Sequence, residues 1–108
     1  MGLHQDGKVL EIAIFKLNED ITRERFLGTV GPVSAWAQAQ PGFISRDLTY
    51  SAEGDRWIDL VWWRSLDEAH AAAEAAMSST SCAPMFGMID LGSMSMLHGE
   101  SAIAAVTG

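Results

Sequence analysis

Cysteine is all but missing. Cys82 stands alone, so the chain can close no internal disulfide and can build no cysteine-based zinc site. Basic residues are scarce as well: seven Lys and Arg stand against fourteen Asp and Glu, a net charge of -7. A nucleic-acid binder needs a basic footprint to neutralise phosphates, and none is present. The few basic residues are scattered singly, which argues equally against an anionic membrane surface. No apolar run approaches the about 20 residues of a membrane helix. The polar start, Met1-Gly2-Leu3-His4-Gln5-Asp6-Gly7, has no apolar core of the kind a secretory signal carries. The expectation is a cytoplasmic protein whose partners are small ligands or other proteins.

What is present suits one domain. The 108 residues leave no room for a second core. Charged residues, at 19%, are few beside an apolar fraction of 48%, and surface hidden in an oligomer is one explanation.

Val9 to Leu17 is rich in β-branched and aromatic residues and reads as a strand. Asn18-Glu19-Asp20 breaks it, and Thr22 suits an N-cap. Phe26, Val30, Val33 and Ala37 then recur at helical spacing, with Trp36 at the edge of that face. Gly31-Pro32 falls inside this pattern and must either kink the helix or split it, because Pro32 has no backbone N–H to donate. Gln40-Pro41-Gly42 ends the segment. Phe43 to Ser51 and Arg56 to Arg64 form two strand-like runs around Ala52-Glu53-Gly54-Asp55, a hairpin pattern. Ser65 and Glu68 make a capping box for an alanine-rich helix reaching about Met77. A serine-rich loop follows, Pro84 suits the start of a short helical turn, and Leu91 to His98 reads as a last strand. Met94 and Met96 alternate there as core residues would. The order β-α-β-β-α-β predicts a ferredoxin-like α+β fold, with both helices on one face of a four-stranded antiparallel sheet. The domain spans residues 9–98, between an N-terminal tail (1–8) and a loose C-terminal tail (99–108).

Two helices cover one face of such a sheet, yet the strands are apolar on both. Trp57, Val61 and Trp63 point one way with Asp59, while Ile58, Leu60 and Trp62 point the other. Leu10, Ile12 and Ile14 likewise oppose Val9, Ala13, Phe15 and Leu17. A large apolar side chain contributes about 1.5–3 kcal/mol when buried, so the second face calls for a cover. A second copy packed sheet to sheet is the simplest; the C-terminal tail is the alternative, though its residues are small.

Pro41-Gly42-Phe43 opening the second strand, and Trp63-Arg64-Ser65-Leu66-Asp67-Glu68-Ala69 joining the third strand to the second helix, resemble the dimeric α/β-barrel superfamily, in particular the antibiotic-biosynthesis-monooxygenase-like group. The likeness covers Val9 to His98. It implies two ferredoxin-like subunits joined through their sheets into a dimeric α/β barrel, each with a cavity between sheet and helices. Members of the group include cofactor-free oxygenases of aromatic polyketides and quinols, haem-degrading enzymes and isomerases, so fold alone does not assign function. The haem-degrading members use an asparagine on the first strand with a tryptophan and a histidine. Trp63 matches the tryptophan, but Val9 to Leu17 holds no asparagine, and His70 falls about one helical turn early.

With Glu53-Gly54 at the turn, Tyr50 faces Trp57, Leu48 faces Asp59, Arg46 faces Val61 and Ile44 faces Trp63; a three-residue loop would flip this parity. Tyr50, Arg46, Trp57, Asp59 and Trp63 then share a face, and the resemblance puts Trp63 on the helix side, beside the cavity. The second helix aligns Leu66, His70, Ala73 and Met77 in one stripe, which aims His70 at the same space, with Ala69 and Ala73 leaving room. Rings to stack on and a few polar groups to orient it are what an aromatic ligand needs. His70 suits a general base for a phenol or enol, with Arg46 or Tyr50 holding the oxyanion and Asp59 beside them. Trp63, Tyr50, Trp57 and Trp36 are the candidate ligand-binding residues. Packing accounts for the same tryptophans, a satisfied half-buried imidazole for His70, and a structural ion pair for Arg46 and Asp59. Glu11 joins the carboxylate group or faces the partner; the pattern leaves its direction open. His4, His70 and His98 lie on separate elements without metal-ligand spacing, and no nucleophile triad or phosphate loop is present.

These residues point to a cofactor-independent enzyme, a monooxygenase or a related isomerase or cyclase, acting on a small aromatic or polyketide-like molecule as a homodimer. The competing expectation is a non-catalytic homodimer that binds a small apolar ligand or serves as an accessory subunit.

Overall fold

A computed structural model describes residues 7–102. Chain order is β1 (Val9–Leu17), α1 (Arg23–Leu27), α2 (Val30–Gln38), β2 (Phe43–Ser51), β3 (Arg56–Trp63), α3 (Leu66–Ala76), α4 (Ala83–Met88) and β4 (Ile89–Glu100). The strands form one antiparallel sheet in the order β2-β3-β1-β4. This is the ferredoxin-like α+β arrangement, with the first helix in two pieces and one short helix added before β4.

Local chemistry sets the helix ends. Thr22 Oγ1 accepts from the Arg25 N–H at 3.2 Å and opens α1. Gly31-Pro32 splits the first helix rather than kinking it. The break falls at Gly28 and Thr29, so Pro32 sits in the first turn of α2, where its missing N–H has no helical partner to lose. At α3 one half of the expected capping box is present, Ser65 Oγ accepting from the Glu68 N–H at 3.1 Å, and the Glu68 carboxylate reaches back to accept from the Ser65 hydroxyl at 3.0 Å.

The hairpin pairs Tyr50 with Trp57, Leu48 with Asp59 and Arg46 with Val61, as the parity of its turn requires. Ile44 does not face Trp63. A bulge between Phe43 and Ser45 puts Phe43 opposite Trp63 and leaves Ile44 42% exposed. The last strand is longer than its pattern suggests, beginning at Ile89 and continuing through Gly99 and Glu100. It also breaks register between Ile14 and Lys16 of β1, whose partners are Ser95 and Asp90. There Ser93 Oγ accepts from the Lys16 N–H at 2.8 Å, standing in for a strand carbonyl. Residues 1–6 and 103–108, which include His4 and most of the two terminal tails, lie outside the described residues.

The core lies wholly on the helix side of the sheet and comes in two parts. Phe15, Phe26, Trp57, Cys82, Met85 and Ile89 anchor one. Its rings meet edge-on or tilted, with Phe26 5.8 Å from Phe15 and 4.7 Å from Trp57. Val9, Val61, Trp63, Ala69 and Ala72 form the other. Trp36, half-buried, packs against both. On the opposite face Leu10, Ile12, Ile14, Ile58, Leu60 and Trp62 remain only partly buried, and Leu97 beside them is 67% exposed. No helix among the described residues is long and apolar enough to cross a membrane.

Candidate active site between sheet and helices

Between the two parts of the core lies a cavity of about 390 Å³. β1 and β3 supply its floor through Ala13, Val61 and Trp63, while α2 gives Trp36 and Val33. The small Ala72, Ala73 and Ala76 of α3 hold its roof away from the floor. Three charged residues interrupt this apolar lining: Arg46, Asp59 and Glu11.

Arg46 and Asp59 neutralise each other. Arg46 Nε donates to Asp59 Oδ1 at 2.9 Å and Nη2 donates to Oδ2 at 2.7 Å, with side chains only 6% and 12% exposed. Nη1 donates to Ser34 Oγ of α2 at 3.0 Å, and Nη2 also leans on Met85 Sδ at 3.8 Å. Of five guanidinium N–H groups, three go to oxygen and a fourth to sulfur, which leaves one for a ligand. The pair therefore ties β2, β3 and α2 together as well as facing the cavity.

Glu11 has no such counter-ion. Its place on the face of Val9, Ala13 and Phe15 turns it toward the helices, which answers the question its flanking residues left open. Oε1 accepts from the Trp63 indole N–H at 3.1 Å and lies 3.5 Å from His98 Nε2 on β4. Burial raises the Glu11 carboxyl above its ordinary value; His98 and the Trp63 hydrogen bond pull it back only in part, and the Asp59 charge adds to the rise. Among the described residues, His98 Nε2 is buried and makes no hydrogen bond.

His70 does not reach the cavity. It is exposed on α3, where its ring meets that of His98 edge-on, with centroids 5.0 Å apart. Ala69 and Ala72 are the α3 residues pressed onto the sheet, so helix rotation carries His70 to the rim above β4. Tyr50 and Trp57 also lie apart from Glu11. They border a more polar groove at the other end of the sheet, with Lys16, Asn18, Arg23 and Asp90. There the Arg23 guanidinium lies 5.2 Å from the Tyr50 ring centre and 5.6 Å from that of Trp57. The Tyr50 hydroxyl donates to Asp55 Oδ1 at 2.8 Å, which holds the phenol protonated above its ordinary range. Of the residues expected from the sequence, Arg46, Asp59, Trp63 and Trp36 thus gather at one cavity; His70, Tyr50 and Trp57 do not. Met94 is half-buried as expected for core, but Met96 is 45% exposed at the cavity mouth.

Pattern reading left the direction of Glu11 open and gave His98 no role in the site. The signal for Glu11 was its parity with three apolar residues on a strand under helices. His98 carried none, because its partner is set by the register of β1 against β4, where Glu11 and His98 lie opposite. Among the described residues no group of three or more His, Cys, Asp or Glu could hold a metal ion.

Neither a protein-family model nor a curated protein matches the sequence. Solved structures do match the fold. SnoaB, a cofactor-independent oxygenase from Streptomyces nogalater, superposes with a TM-score of 0.64 at 14% identity, covering 93% of this chain and 96% of its own. A proposed antibiotic biosynthesis monooxygenase from Bordetella bronchiseptica gives 0.71 at 16% identity, covering 90% and 99%. A Mycobacterium tuberculosis protein gives 0.69 at 18%, covering 92% and 99%. The chain shares its fold with these proteins.

Proposed function

We propose that the cavity binds a small aromatic or polyketide-like molecule and that the protein is a cofactor-independent enzyme, a monooxygenase or a related isomerase or cyclase. The observation that carries this reading is Glu11: a carboxylate without a cationic arginine, in the wall of an apolar chamber, with its proton affinity raised by burial. Such a group removes a proton from a phenol, enol or activated methylene more readily than a solvated carboxylate does. Trp63 and Trp36 offer rings for the substrate to pack on, and the remaining Arg46 N–H suits the oxyanion that deprotonation creates. In the oxygenase form, the resulting carbanion reduces dioxygen directly. One oxygen atom replaces the two hydrogens of the methylene as a carbonyl, and the other leaves as water. The SnoaB likeness supports this class of chemistry without naming a substrate.

The working unit in this proposal is a homodimer joined through the open sheet face, two subunits making one barrel. Leu10, Ile12, Ile14, Ile58, Leu60, Trp62 and Leu97 form that face. A second copy fits because the patch then meets its own image with apolar groups at its centre, and this apolar contact must outweigh the repulsion between two chains of net charge -7.

Oxygen uptake with a panel of phenols and naphthoquinols tests the reading. Turnover by the wild type, at least about 100-fold lower in Glu11→Gln with ligand binding kept, is the expected result. A specific observation favours the non-catalytic alternative: Arg46 is almost saturated by Asp59, Ser34 and Met85, as a purely structural residue would be. Binding without turnover across the panel would establish that alternative, and Ala73→Leu, which fills the cavity, should abolish binding in either case.

A further inference from the structure

In the oxygenase reaction the proton that a base takes from the methylene is needed again when the second oxygen leaves as water. A path that exchanges protons between a largely buried base and solvent therefore serves both half-reactions. Glu11 lines the cavity, whereas His98 does not; His98 stands behind Glu11, toward the exposed edge of the sheet. Its Nε2 is 3.5 Å from Glu11 Oε1, a few tenths of an ångström beyond a good hydrogen bond, and makes no other. A buried ring nitrogen without a partner, aimed at a buried carboxylate, is costly unless it has a use. Beyond His98 comes His70, exposed, touching it edge-on. The three side chains neighbour one another in turn, from Glu11 in the cavity wall through His98 to exposed His70.

We infer that His98 carries protons between Glu11 and bulk water, and that His70 is a positioning residue that holds the His98 ring in line. The inference rests on Glu11 being the base of the proposed reaction. The steps balance in protons and move no electrons. Glu11 takes a proton from the substrate and becomes neutral. Its carboxyl passes that proton to the lone pair of neutral His98 Nε2, which restores the carboxylate and makes an imidazolium. The imidazolium gives its Nδ1 proton to water. When the second oxygen leaves as water the steps run in reverse, with Nδ1 taking a proton from solvent and Nε2 returning one through Glu11, which restores the starting tautomer and balances the cycle. The charged or titratable groups against His98 are Glu11 from β1 and His70 from α3. Asp59 acts on the line only through Glu11 and is itself paired with Arg46.

Two measurements on the full chain decide it. In the first, naphthoquinol turnover is followed against pH in wild type, His98→Gln, His98→Ala and His70→Ala. His98→Gln should lose about 10- to 100-fold in kcat with KM changed less than about twofold, and added imidazole should restore His98→Ala but not Glu11→Gln. His70→Ala should lose less and shift the pH profile. Wild-type kcat in His98→Gln overturns the relay. In the second, carboxyl-carbon NMR follows the Glu11 titration without any substrate. Because His98 lowers that titration, His98→Gln should move its midpoint upward; His98→Asn serves if the glutamine variant does not fold. An unmoved midpoint overturns the coupling. If the wild type turns over no quinol, the proposed reaction and the relay that rests on it fall, and the NMR result still decides whether Glu11 and His98 are electrostatically coupled.

Discussion

Arg46 grips Asp59 at both carboxylate oxygens, diagonally across the β2–β3 hairpin and almost wholly out of water. A buried pair of this kind gains little over apolar residues, but breaking it strands a charge. Arg46→Met should therefore cost about 3–5 kcal/mol, whereas Arg46→Met combined with Asp59→Leu should fall much nearer the wild type. Urea unfolding of the three proteins measures both.

Glu11 should be a stability liability at neutral pH. Burial raises its carboxyl, so the folded protein holds this proton more tightly than the unfolded chain does. The contribution is favourable below the ordinary carboxyl value and disappears as pH rises through the raised one. Glu11→Gln is thus expected to raise Tm at pH 7 by about 1–4 °C. The gain should shrink toward zero near pH 4, where wild-type Glu11 is itself protonated. Calorimetric scans from pH 4 to pH 8 would show the trend, and a gain that grows on acidification would contradict it.

Gly42 is required by its backbone and by its neighbour. Its φ is +85°, and a Cβ there would come 2.5 Å from Glu68 Cδ and 2.8 Å from Glu68 Cβ. Gly42→Ala should cost about 1–3 kcal/mol and push Glu68 away from Ser65, loosening the start of α3. Adding Glu68→Ala should recover only part of the loss, because the left-handed backbone remains strained. Denaturant midpoints read this directly.

The open sheet face predicts the assembly. Light scattering at micromolar concentration should report a dimer for the wild type. Leu60→Lys, in the middle of that face, should shift it to monomer while leaving the far-ultraviolet circular dichroism unchanged. A wild-type monomer would remove the barrel.

Much of this protein was legible in its residues, because strand parity and helix capping are local. Alternation in Arg56 to Trp63 separated the core face from the open face, Ser65 and Glu68 marked the start of α3, and Glu53-Gly54 set Arg46 opposite Val61, on one face with Asp59 and diagonal to it. What escaped depended on how elements meet. The bulge that turned Ile44 out, the rotation of α3 that carried His70 to the rim, and the β1–β4 register that set Glu11 against His98 leave no mark within any one segment. The sequence by itself determined which residues form strands and helices and which faces repel water, since those follow from near neighbours along the chain. Only the tertiary structure decided which charged groups share the cavity, because that depends on packing between segments far apart in sequence.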